Sequence, residues 1–133
     1  MSIASMMAML RRQEENERQM SHTVSQLLTK KMWNYDSVGT IRNRFYYNDG
    51  TTWAISLISE RSGLETGLWF NHNGVWKLVE CPTLTYVYDQ VAYHGTLHNI
   101  ATHMDMIAQI LSDPEKAEKA KQEANAYLIE RSY

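Results

Sequence analysis

Between residues 39 and 81, four short segments with strand-like alternation are separated by three turn signals: Asn48-Asp49-Gly50, Ser62-Gly63 and Asn71-His72-Asn73-Gly74. Asn and Gly tolerate positive φ, so the chain reverses there at little steric cost. Loops this short make consecutive strands antiparallel neighbours. The expected strands are 39–47, 51–59, 64–70 and 75–81, the last stopping at Pro82, which cannot donate to a ladder. Ile41, Phe45 and Tyr47 alternate with Arg42, Arg44 and Tyr46, and Trp53, Ile55 and Leu57 alternate with Thr52, Ala54 and Ser56. That is the period of a sheet with one buried face. Three of the four Trp and both Phe fall in this stretch, so it holds most of the bulky apolar volume. Residues 83–88 are rich in β-formers and allow a fifth strand, but Leu84, Val87, Tyr88 and Val91 fit a helix equally well.

Helical periods flank the sheet. Stepping by three and four from Ile3 reaches Met6, Leu10, Gln13, Glu17, Met20, Val24, Leu27 and Lys31. This is a heptad seam with apolar ends and a polar middle. Arg11–Glu15 and Glu14–Arg18 are spaced i,i+4, worth only about 0.2–0.5 kcal/mol each. A helix this polar is marginal alone and needs a partner. The reading is an N-terminal helical arm over 1–32 and an α+β domain over 33–133. Ile3, Met6, Leu10, Met20, Val24 and Leu27 are then the coiled-coil, oligomer-forming seam. Ser21 can cap a second helix and split that seam. In the competing reading, Val24, Leu27, Leu28 and Met32 pack on the sheet and 2–19 is a solvated arm.

After the sheet, Thr96 reads as an N-cap, followed by the apolar stripe Leu97, Ile100, Ala101, Met104, Ile107, Ala108 and Leu111. Asp113 and Pro114 open a last helix, whose inner face carries only Ala117, Ala120, Ala124 and Leu128. The fold class expected is α+β: an amphipathic N-terminal helix, a four- to five-stranded antiparallel meander, and two C-terminal helices. Trp53, Ile55, Leu57, Leu68, Phe70 and Leu78 should meet the stripe in the core.

The 133 residues make one domain's worth of chain, and 44% hydrophobic with 21% charged residues is globular rather than disordered composition. A net charge of −2 gives no overall basic excess for duplex DNA or an anionic membrane. No apolar run approaches the roughly 18–20 residues of a membrane span. The mildly apolar start has no cation before it, the wrong polarity for a secretory signal. Cys81 is alone, which excludes an intrachain disulfide and suits a reducing compartment. The expected location is the cytoplasm, or the host cell for a viral protein.

Chemistry is thinly represented. His94, His98 and Asp105 share a face only if a helix runs unbroken from 94, and Gly95 argues against that. His103 lies about 140° from His98 on a helix. No zinc spacing, nucleophile elbow or phosphate-binding loop occurs. Cys81 follows Glu80, and a neighbouring carboxylate raises a thiol pKa rather than lowering it. No metal, cofactor or catalytic residue is therefore expected.

The remaining signal is cations mixed with aromatics: Arg42, Arg44 and Tyr46, with Trp33 and Tyr35 before them. Such a face suits protein contacts, where Arg, Trp and Tyr are enriched at hot spots. It also suits stacked bases and paired phosphates. The expectation is a non-enzymatic interaction or assembly protein, in style a small viral or phage accessory protein. It binds a protein partner or itself through the N-terminal helix and the Arg/aromatic face. A nucleotide or single-stranded nucleic-acid binder is the alternative, and a small His-dependent enzyme the second. No motif assigns the chain to a family.

Overall fold

Residues 3–27 contain neither Gly nor Pro, so nothing in the backbone interrupts a helix there. In the computed structural model, which describes residues 2–36, 43–60, 63–84 and 97–132, they form one unbroken helix, α1 (Ile3–Leu27). The Ser2 hydroxyl caps it by accepting the Ser5 N–H at 3.1 Å. Ser21 does not start a second helix; it is buried within the first.

Five strands follow: β1 (Trp33–Asp36), β2 (Arg44–Tyr47), β3 (Trp53–Glu60), β4 (Gly63–His72) and β5 (Val75–Leu78). They form one antiparallel sheet in chain order, as the short loops require. At the tip between β4 and β5, Asn73 and Gly74 take φ of 53° and 85°. Two consecutive positive φ values make the I′ turn that matches strand twist, and Asn-Gly accepts it at least cost. Between β2 and β3 the Asp49 carboxylate accepts both the N–H and the hydroxyl of Thr51.

The fifth strand is β1, at the N-terminal edge. It pairs with β2 in the register Trp33↔Tyr47 and Tyr35↔Phe45. Of the segment expected as strand or helix after Pro82, residues 82–84 are helical and the remainder lies outside the described residues. Two helices complete the chain, α2 (Leu97–Leu111) and α3 (Pro114–Arg131). Asp113 caps α3 by accepting the Glu115 N–H at 3.0 Å, with Pro114 at its first turn. Thr96 lies outside the described residues.

Register decides which residues are inner. Trp33, Phe45, Trp53, Ile55, Leu57, Leu68 and Phe70 share one face and are all buried. Val24 and Leu28 of α1 and the Ile100–Leu111 stripe of α2 join them in one core. Ala120 and Ala124 bring α3 close, and its small residues let the Cys81 thiol reach the Ala120 carbonyl at 3.5 Å. Leu78 was expected in this core and is not there. Its partner across the ladder is Trp69, which points away from the helices, and Leu78 is 54% exposed.

Where α1 ends, one carboxylate ties helix, strand and core together. Asp105 of α2 accepts the Thr29 N–H (2.8 Å), the Thr29 hydroxyl (2.8 Å) and the Lys30 N–H (3.1 Å). Beside it the Trp33 indole donates to the Met104 carbonyl at 2.7 Å. Lys31, at φ 57°, then turns the chain into β1. Hydrogen bonds to a charged acceptor contribute about 1.5–3 kcal/mol, so Asp105→Ala should lower stability by about that much, seen as a lower urea midpoint. Asp105→Asn, which keeps one acceptor oxygen, should lose less; equal midpoints for wild type and Asp105→Ala would exclude this anchoring role.

Candidate interaction surfaces

The heptad seam of α1 divides at Glu17. From residue 2 to residue 12 every position is exposed, and Ile3, Met6, Met7, Met9 and Leu10 are 77%, 50%, 49%, 41% and 54% exposed. Beyond it Ser21 and Val24 are buried and Met20 packs against the core, while Leu27 is 37% exposed. Of the six seam residues, three therefore stand open on the projecting arm and Val24 and Met20 belong to the body. A polar cluster marks the division. The Asn43 amide donates to the Glu17 carboxylate, and the Tyr35 hydroxyl donates to the other end of the same amide, each at 2.5 Å. Glu17 is fully buried and Asn43 4% exposed, so the carboxylate is held inside by donors rather than by water. Burial, the largest effect, raises the Tyr35 phenol above its ordinary pKa.

On the sheet, the five predicted binding residues do not gather. Trp33 and Tyr35 alternate onto the inner face: Trp33 is buried, its ring edge-on to Tyr47 at 5.4 Å, and Tyr35 leans on Phe45 at 5.2 Å. Arg44 and Tyr46 point to the outer face, and Arg42 lies outside the described residues. Arg44 is only 7% exposed; its guanidinium lies over the Tyr46 ring at 4.7 Å and 3.6 Å from the Asp36 carboxylate. Cation, ring and carboxylate thus satisfy one another within the fold.

What the outer face does offer is apolar surface. Tyr46 packs on Trp76 at 5.2 Å, and the Trp69 indole donates to the Ser56 hydroxyl at 2.9 Å. Ile58, Gly67 and Leu78 lie among them by register, while Ala54 and Ser56 on the same face are buried. A Cβ on Gly67 would stand 2.8 Å from Ser56 Oγ and 2.9 Å from Leu78 Cδ2, so only glycine lets these side chains close over that spot. The described helices contact the inner face, through Trp33–Met104, the Tyr35–Asn43–Glu17 cluster and the Trp53, Leu111 and Ala117 neighbourhood. An antiparallel sheet with one covered face normally turns polar residues outward. This one turns out two Trp, a Tyr, an Ile and a Leu. Alternation placed only Tyr46 on this side, and counting Leu78 among core residues hid the patch.

A shallow groove of about 280 Å³ between the β4–β5 hairpin and the end of α3 is lined by His72, Lys77, Leu128 and Arg131 among others. Arg131 stacks on Tyr127 at 3.7 Å and pairs with Glu130 at 3.7 Å, and His72 meets Asn125 at 3.2 Å. Cations at a helix C-terminus offset its exposed carbonyls, which accounts for them without a ligand.

Among the described residues, no three His, Cys, Asp or Glu side chains are placed to hold a metal ion. His103 bonds to the Asn99 carbonyl at 2.9 Å, His98 is exposed, and His94 lies outside the described residues. Asp105 is the α1 anchor. Glu123 holds the turn after Cys81 by accepting the Thr83 N–H at 2.9 Å and its hydroxyl. No described helix is long and apolar enough to cross a membrane.

Burial first, and the Glu123 charge after it, push the Cys81 thiol up to about 11. The neutral form is the one favoured by folding, so unfolding releases a proton more readily and stability falls as pH rises through the unfolded thiol range toward that value. A disulfide reagent at mildly alkaline pH should therefore modify Cys81 only as fast as the protein opens, and at once in denaturant. Rapid modification of the folded chain would contradict the burial.

Comparison with models of known protein families, with curated proteins and with solved structures found no match.

Proposed function

We propose that this chain is a non-enzymatic assembly protein that docks through the first three turns of α1, either on itself or on a protein partner. The observation that supports the reading is that residues 2–12 continue the helix with every position exposed while presenting five large apolar side chains. An isolated helix of this length is marginal in water, so tertiary or intermolecular burial has to supply its stability. Ile3, Met6, Met7 and Leu10 are spaced i, i+3, i+4 and i+7, the pattern of a helix that lays one face on an apolar surface. Burying each is worth roughly 1.5–3 kcal/mol. Methionine suits such a face because its unbranched thioether adapts to the surface it meets.

A small oligomeric accessory protein working in the cytoplasm fits this reading, since Cys81 there stays a thiol. The nucleic-acid alternative draws less support. It asks for cations open to phosphate, and Arg44 is already drawn under Tyr46 and against Asp36.

The test uses the full chain with Ile3→Asp and Leu10→Asp, both at exposed positions. Light scattering should give the wild type a mass above the 15.5 kDa of one chain, and the double variant the mass of one chain with unchanged near-UV circular dichroism. A wild type of single-chain mass at high protein concentration would remove self-association. If adding the two aspartates also left amide exchange along residues 3–12 unchanged, the docking role itself would fall.

A further inference from the structure

We infer that the surface on which the arm docks is the outer face of the sheet in a second copy of this chain, with the exchange made reciprocally across a two-fold axis. The inference rests on the assembly reading above and names its partner.

Three observations converge on it. Two apolar surfaces are accessible among the described residues, the arm and the part of the outer sheet face where Leu78 is exposed and Tyr46, Ile58, Trp69 and Trp76 are half-buried. Among the described residues, Ile3, Met6, Met7, Met9 and Leu10 are exposed on the arm, and Leu78 stands on the sheet beside half-buried Trp69 and Trp76. Their dimensions match. Ten helical residues span about 15 Å, and five strands about 4.8 Å apart present a face about 19 Å wide. Thioethers packed on the Trp69, Trp76 and Tyr46 rings are favourable sulfur–aromatic contacts.

Size decides against the simplest rival. Two arms paired only with each other over three turns fall well short of the roughly 1,200 Å² that a stable interface buries. A reciprocal exchange covers two arms and two sheet faces at once and closes the assembly at two chains.

Charge agrees with the same pairing. Arg11 and Arg12 directly follow the apolar segment of the arm. The outer face is bordered by Glu65, which is exposed, and by Asp36, whose side chain is 42% exposed and shared with Arg44. An arm lying across the rings therefore brings guanidinium groups toward the acidic border rather than toward a like charge.

Complementation between two full-length variants tests the inference. Leu10→Asp disables the arm, Leu78→Asp disables the sheet face, and both positions are exposed in the monomer. Each variant alone should scatter as one chain where the wild type scatters as two. An equimolar mixture should recover a two-chain species, because one intact arm still meets one intact sheet. Trp emission should shift to the blue in the mixture relative to either variant. If Leu78→Asp disturbs the circular dichroism of the sheet, Leu78→Ser serves in its place. A Leu78 variant that keeps the wild-type mass while Leu10→Asp loses it would overturn the inference and leave the assembly reading standing. Two single-chain variants that fail to complement would also overturn it. A single-chain wild type would overturn both.

Discussion

Trp33, Phe45, Trp53, Ile55, Leu68 and Phe70 lie on one side of a five-stranded sheet, and α1 and α2 must cross that side to keep it from water. A two- or three-layer domain of this size depends on that contact, since neither a lone meander nor a lone helix retains its order in water. The Asp105 carboxylate matters because it fixes the corner where α1 gives way to β1. It bonds both backbone amides just past the helix end, and the adjacent Trp33–Met104 bond sets the edge strand against α2. Helix, strand and core thus share one corner. Displacing it would slide the second half of α1 off Met104 and Ile107 together.

Covering the inner face leaves the chain with two surfaces of the opposite kind. The outer sheet face presents rings and a leucine where an isolated antiparallel sheet would present polar groups, and the arm presents methionines on no support. Neither is scattered apolar exposure of the sort every protein carries. Both are contiguous, both are rimmed by charge, and they belong to the same chain.

Much of the architecture was legible before any coordinates because the turn residues and the period-two alternation act locally. Asn73-Gly74 names its own turn, and Trp53 to Phe70 name their own face. The edge strand was missed, with the fifth strand sought at 83–88, although Trp33-Asn34-Tyr35-Asp36 alternates ring and polar residue over four positions. Reading those rings as a binding surface placed them with Arg44 and Tyr46, whereas antiparallel register sets Trp33 opposite Tyr47 and so on the other side of the sheet. Leu78 failed for the same reason in reverse. An aliphatic residue near the end of a four-residue strand has no long alternation to assign its face, and only the pairing with Trp69 does. The buried state of Arg44 had little local signal: Tyr46 lies two residues along the same strand, but Asp36 comes from the neighbouring one.

The place where the arm leaves the body follows from a conflict within one periodicity. The seam from Ile3 to Leu27 keeps its step throughout, so hydrophobic pattern alone would carry the whole helix onto the core or none of it. Gln13 and Glu17 interrupt the pattern with groups that need hydrogen-bond partners once buried. Asn43 supplies one for Glu17, and Asn43 tolerates the left-handed φ of 49° that aims its amide inward. N-terminal to that pairing the exposed sequence is Arg11, Arg12, Glu14 and Glu15, for which water is the better solvent, so packing stops. The apolar residues beyond it are then held away from the molecule's own core by the polar stretch between them. The two apolar ends of one helix therefore meet different surroundings, Val24 and Leu28 the core and Ile3 to Leu10 solvent.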